Sequence, residues 1–169
     1  MEVHEAKGWR LVFDPARHPF VLLIGGGPED AGAWAAEFSG AEAQALQAGV
    51  GRLVEQHRAL VPSLMAEEAI DLELEVACAG GGLWLALAGD RSGWSLRFVL
   101  TPAAGSRGLE GSWERSASGP LAAALAALPL GALPLGALPL GALPLGALPL
   151  GALPLEVLDA HQPPAGERR

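Results

Sequence analysis

Two periods organise the first 128 residues: apolar side chains returning at every second position bury one face of a strand, and those returning at every third or fourth bury one face of a helix. Trp9, Leu11 and Phe13 alternate with Arg10 and Val12, and Trp34, Ala36 and Phe38 alternate with Ala35 and Glu37, which predicts two half-buried strands. Asp14-Pro15 and Gly25-Gly26-Gly27-Pro28 mark the intervening stretch as a loop, with residues 20–24 able to extend a strand. Ser39 followed by Glu42 is a capping box, and the stripe Leu46, Val50, Leu53, Val54, Leu60, Val61, Leu64 carries a helix on to about Met65, with Pro62 kinking its last turns.

Four more strands are predicted at Ile70–Cys78, 83–88, 94–101 and, more weakly, 108–113. The connections between them, through Gly80-Gly81-Gly82, residues 90–93 and residues 103–108, are short enough for antiparallel hairpins. A second helix follows, with Ser118 or Gly119 as its cap, Pro120 in its first turn and Leu121, Leu125 and Leu128 on one face. The expected fold is α+β: a single antiparallel sheet in the order β-β-α-β-β-β-β-α, with both helices packed on one face.

The chain then changes character. Residues 128–132 read Leu-Pro-Leu-Gly-Ala, four identical copies follow, and a truncated Leu-Pro-Leu closes the run at Leu155. Excising the extra copies leaves GPLAAALAALPLEVLDA, so the run reads as slippage on a short coding repeat that enlarged a finished domain. The expected division is an α+β domain over 1–128, a poorly ordered or extended repeat over 129–155 and a C-terminal tail over 156–169. No charged residue occurs from Pro120 to Leu155, yet prolines recur every five residues through the repeat. Each interior proline costs a helix about 3 kcal/mol, which argues against a membrane span.

Charge and cysteine narrow the function classes. The chain has 169 residues, with 19 acidic against 11 basic side chains and a net charge of −8, a balance that repels phosphate backbones. Its one cysteine, Cys78, permits no internal disulfide, and the N-terminus lacks the basic start and apolar core of a secretory signal. The expected home is the cytoplasm.

Seven segments in register resemble a cyanobacterial family: Gly8-Trp9-Arg10, residues 23–26, Trp34-Ala35-Ala36-Glu37, Met65-Ala66-Glu67-Glu68, Leu83-Trp84, residues 95–100 and Glu110-Gly111-Ser112-Trp113. The family is domain-of-unknown-function family 1818, and the resemblance covers about residues 7–128. It implies a fold akin to the single-stranded-DNA-binding regulators, shared by the plant Whirly proteins and positive cofactor four. It implies no activity and supplies no catalytic residues to carry over. The chain departs from the family around residues 28–32 and in the repeat.

No residue constellation points to catalysis, a cofactor or a metal. The four histidines show none of the spacings that converge on an ion, and His57 reads as a histidine at the core edge while His161 sits in the tail. Gly25-Gly26-Gly27 lacks the spacing of a phosphate-binding turn, and Glu29 and Asp30 place carboxylates where phosphate would sit. Cys78 falls on an apolar phase, Ser106 lacks a nucleophile elbow, and Glu67, Glu68, Asp71, Glu73 and Glu75 read as solvated charge.

The outward phase of the expected sheet carries Arg10, Glu37, Asp71, Glu73, Glu75, Trp84, Ser95, Arg97 and Glu110, two arginines against five carboxylates. Nucleic acid is therefore disfavoured, and the arginines are expected to pair across strands with carboxylates. Trp9, Trp34, Trp94 and Trp113 read as core. Trp84, with Arg97 and Arg10, is the candidate surface contact. The function expected is a non-enzymatic protein-binding or regulatory module, with an unidentified protein partner or a second copy in a homodimer, and with single-stranded nucleic-acid binding as the alternative.

Overall fold

In the computed structural model, residues 1–27, 33–78, 81–101 and 108–133 are described. The insertion at 28–32, Gly80, Ser106, the repeat from residue 134 onward and the 156–169 tail with His161 lie outside them. The expected α+β class holds, but the single sheet does not. Among the described residues, eight strands form two four-stranded antiparallel sheets, each in simple chain order.

The first sheet comprises β1 (Glu2–Ala6), β2 (Trp9–Phe13), β3 (Phe20–Gly26) and β4 (Trp34–Ser39), and runs directly into α1 (Gly40–Leu60). The second comprises β5 (Ile70–Cys78), β6 (Gly81–Asp90), β7 (Gly93–Thr101) and β8 (Leu109–Trp113), and runs into α2 (Arg115–Ala127). From Glu2 to Ala127 the described elements are thus two successive ββββα units. In both, the N-cap residue is extended: Ser39, the last residue of β4, at φ −65°, ψ 167° and Glu114, between β8 and α2, at φ −69°, ψ 166°.

Two strands of the first sheet are absent from the expected order, for different reasons. β1, EVHEA, is an edge strand with only His4 partly buried, so it carries no alternation to detect. β3 includes Gly25 and Gly26, which read as loop punctuation but serve packing: a Cβ on Gly26 would come within 2.6–2.8 Å of the Trp113 and Trp34 rings. Gly111 in β8 is equally constrained, since a Cβ there would lie 2.5–2.6 Å from Trp34 and Phe98. Glycine at these positions lets the sheets approach through tryptophan.

Trp34, Phe98 and Trp113 form the contact between the sheets, with ring centroids 4.9–5.6 Å apart, and Phe38 joins at 5.4 Å from Phe98. Trp113 Nε1 donates to the Gly25 carbonyl at 3.2 Å, which satisfies the indole as it enters the core. Around this cluster Leu11, Ile24, Leu53, Leu83, Leu85 and Leu87 are fully buried. Each such side chain contributes about 1.5–3 kcal/mol relative to exposure.

Helix α1 begins as expected. Ser39 Oγ accepts from the Glu42 backbone N–H at 3.4 Å, and Glu42 Oε2 accepts from the Ser39 backbone N–H at 2.8 Å. It ends earlier than its apolar stripe, at Leu60, and Pro62 lies in a 3₁₀ turn (Val61–Ser63) instead of kinking the helix. Val61 is still helical at φ −46°, ψ −43° and donates to the His57 carbonyl, but Pro62 has no N–H to offer the Arg58 carbonyl, and the i→i−4 ladder stops there. The helix crosses onto the second sheet, where Gly49 sits against Leu85, Val76 and Leu74.

Helix α2 starts three residues before the expected cap. Ser118 lies inside it, fully buried, with Oγ donating within hydrogen-bond reach of both the Trp113 and Glu114 carbonyls at 2.9 Å. Pro120 sits within the helix, where it deprives only the carbonyl of Ser116, an exposed residue of the first turn. The packed chain continues past residue 128: Leu128 and Leu130 are 4% and 0% exposed, and a short 3₁₀ turn spans Leu130–Ala132. Among the described residues no helix is long and apolar enough to cross a membrane.

Candidate functional site

Strand register places the candidate surface on the outer face of the second sheet. One rung aligns Glu75, Trp84, Val99 and Glu110, and the next aligns Glu73, Ala86, Arg97 and Ser112. Alternation along β6 turns Leu83, Leu85 and Leu87 inward at 0% exposure, which forces Trp84 outward. Along β5, Asp71, Glu73 and Glu75 are exposed in alternation with half-buried Leu72, Leu74 and Val76. The face is a shallow apolar strip of Trp84, Ala86 and Val99 with a rail of carboxylates along one side.

Arg97 spans the strip. Its guanidinium carbon lies 5.9 Å from the centre of the Trp84 ring, and its Nη2 reaches Glu110 Oε2 at 3.3 Å. Arginine over an indole face is an attractive arrangement worth roughly 0.5–1 kcal/mol at an exposed site. Arg97 therefore packs over the Trp84 ring while bridging to Glu110.

Arg10 is not part of this surface. It belongs to the outer face of the first sheet, where its Nε lies 3.6 Å from Glu5 Oε2. Glu37 is also on that sheet, ion-paired with Arg17. The single outward face expected from the sequence is thus split in two: Trp84 and Arg97 are together, and Arg10 and Glu37 are elsewhere. The cross-strand pairing of both arginines with carboxylates is as expected.

Two hollows accompany these faces. One, of about 520 Å³, follows the seam between the helices, lined by Val50, Val54, His57 and Trp94 and by the small residues Gly119 and Ala122 of α2. The other, of about 580 Å³, lies over the first sheet between Trp9, Arg10, Leu23, Gly25 and Trp34. Sequence reasoning missed the second because it assigned Gly25 to a loop. The signal available was the length of the apolar run from residue 20, which fits a strand carried through the glycines. Among the described residues no three His, Cys, Asp or Glu side chains cluster as metal ligands would.

The titratable groups elsewhere have structural duties. His57 is buried and its Nε2 lies 3.1 Å from the Asp90 carbonyl, with its ring edge against Trp94. Asp90 itself is gripped by Arg115 through two nitrogens, each at 2.9 Å, and accepts from Ser92. Hydrogen bonds from Arg115, then from Ser92, hold its carboxyl well below the usual range. Cys78 is buried at the end of β5, where desolvation, with Glu42 adding repulsion, pushes its thiol up. That makes it a weaker nucleophile at neutral pH.

Comparison with known proteins places the chain. The family model described as "Domain of unknown function (DUF1818)" matches residues 4–128. A crystal structure described as a protein with unknown function from DUF155 family, from Prochlorococcus sp. NATL2A, is 35% identical and covers 74% of this chain and 96% of its own, with a TM-score of 0.63. No curated protein gives a significant match.

Proposed function

This chain belongs to the DUF1818 family, and from that membership and the geometry above we propose that it is a non-enzymatic, cytoplasmic protein-binding module that uses the outer face of its second sheet. The observation that carries the reading is Trp84, a large aromatic turned away from the core and paired with the Arg97 guanidinium in a field of carboxylates. Aromatic anchors of this kind dominate protein interfaces, while the surrounding charge selects partners and accelerates encounter. The carboxylate rail of Asp71, Glu73 and Glu75 favours a partner bearing Lys or Arg, either another protein or the basic surface of a second copy.

Trp84→Ala tests this directly. Partner recovery by affinity purification from cells, or self-association by analytical ultracentrifugation, falls at least about tenfold with the variant, in line with loss of an interface anchor. Unchanged recovery together with unchanged sedimentation overturns the placement.

The alternative, single-stranded nucleic-acid binding through the same face, draws support from Arg97 above Trp84, since base stacking on an aromatic is worth roughly 1–3 kcal/mol. Against it stand the paired state of Arg97 and the separation of Arg10 onto the other sheet. Fluorescence anisotropy with a labelled single-stranded oligonucleotide at low salt separates the two readings. Submicromolar, salt-sensitive binding favours nucleic acid.

A further inference from the structure

The first repeat copy is seated on α1 in a defined way. Leu128 and Leu130 are 4% and 0% exposed, and Pro129 between them faces solvent. Gln47 Nε2 donates to the carbonyls of Leu125 and Leu128 at 2.8 and 2.9 Å, and Gln44 Nε2 donates to that of Leu130 at 2.8 Å. Leu133 packs beside Gly40. Two leucine sockets and two glutamine donors, three residues apart on α1, thus read the pattern Leu-Pro-Leu. The Leu125 carbonyl belongs to α2, while the other two carbonyls and both leucine side chains belong to the segment and recur in every copy.

From this we propose that the α1 face bearing Gln44 and Gln47 is a receptor for Leu-Pro-Leu segments, and that the repeat is a store of interchangeable occupants. The replacement occupant is Leu133-Pro134-Leu135, identical to the segment now seated. Its entry leaves residues 128–132 as a five-residue loop after α2, and loop-closure cost grows only logarithmically with length. In the seated copy Pro129 holds φ −80° and ψ 47°, with the Leu130 N–H donating to the Leu128 carbonyl at 2.9 Å, and proline assists the exchange because its ring fixes φ near that value. The deletion of 131–155 joins Leu130 directly to Glu156 and yields Leu-Pro-Leu-Glu-Val-Leu, which keeps both socket leucines and a leucine at the position of Leu133. A chain so shortened retains one occupant and no replacement.

The test is the double substitution Leu128→Ser with Leu130→Ser, made in the full chain and in the chain lacking 131–155, each followed by thermal unfolding. In the shortened chain the melting temperature falls by about 10 °C or more, or folding is lost, as expected for two emptied leucine sites. In the full chain the fall stays under about 5 °C, because the next copy fills the sockets. Replacing the leucines of every copy with serine in the full chain restores the large loss. Equal losses in the full and shortened double variants overturn the proposal, as does a full chain that keeps its melting temperature when all copies are replaced.

Discussion

At the scale of single residues, the tightest electrostatic contact with a pH signature is Asp90 with Arg115. The carboxyl titrates lower in the folded chain than in the unfolded one, so the pair stabilises the fold above the ordinary aspartate range and loses that contribution as pH falls through the lower folded value. Asp90→Asn should therefore lower the melting temperature by a constant amount above about pH 5, and the gap to the parent should narrow below about pH 4. A gap that widens on acidification would contradict the sign. Residues of this kind are poorly legible beforehand, because Asp90 and Arg115 lie on different elements and neither position announces its partner. Trp84 was legible, since strict alternation along β6 leaves it only one direction to point.

At the scale of elements, local chemistry predicted what local chemistry controls. The Ser39 and Glu42 capping box forms as read, and Ser39→Ala should destabilise the protein by about 1 kcal/mol, measured by urea unfolding, with Glu42→Ala giving a comparable loss through the reciprocal bond. Strands with one buried face were visible by their period. β1 was not, because an edge strand with little to bury obeys no apolar alternation, and β3 was obscured by glycines whose role is to admit the tryptophans of other strands. The start of α2 was misplaced for a related reason. Ser118 has the residue type of a cap, but its hydroxyl bonds backward to the carbonyls of Trp113 and of Glu114, which lie just before the helix, the other habit of serine near a helix start.

For the whole molecule, the division into two sheets was not legible, since alternation shows which side chains point inward and says nothing about which strands are neighbours. The consequence reached the candidate site: residues that share a phase do not share a surface, and Arg10 parted from Arg97. Identity of architecture between the halves is carried by backbone and spacing more than by residue type. β4 and β8 both deliver an extended residue to a helix start, yet one supplies Ser39 with a side-chain cap and the other Glu114 without one.

The route of α1 has a consequence for how the protein can be taken apart. The helix belongs by chain order to the first four strands but lies across β5 and β6, so its apolar stripe is completed only by the second half. Cleavage in the exposed link around residues 65–69 should yield two fragments that are each unstructured alone and that recover native circular dichroism when mixed at equal concentration. The halves behave as clasped hands: neither keeps its shape once the other is withdrawn.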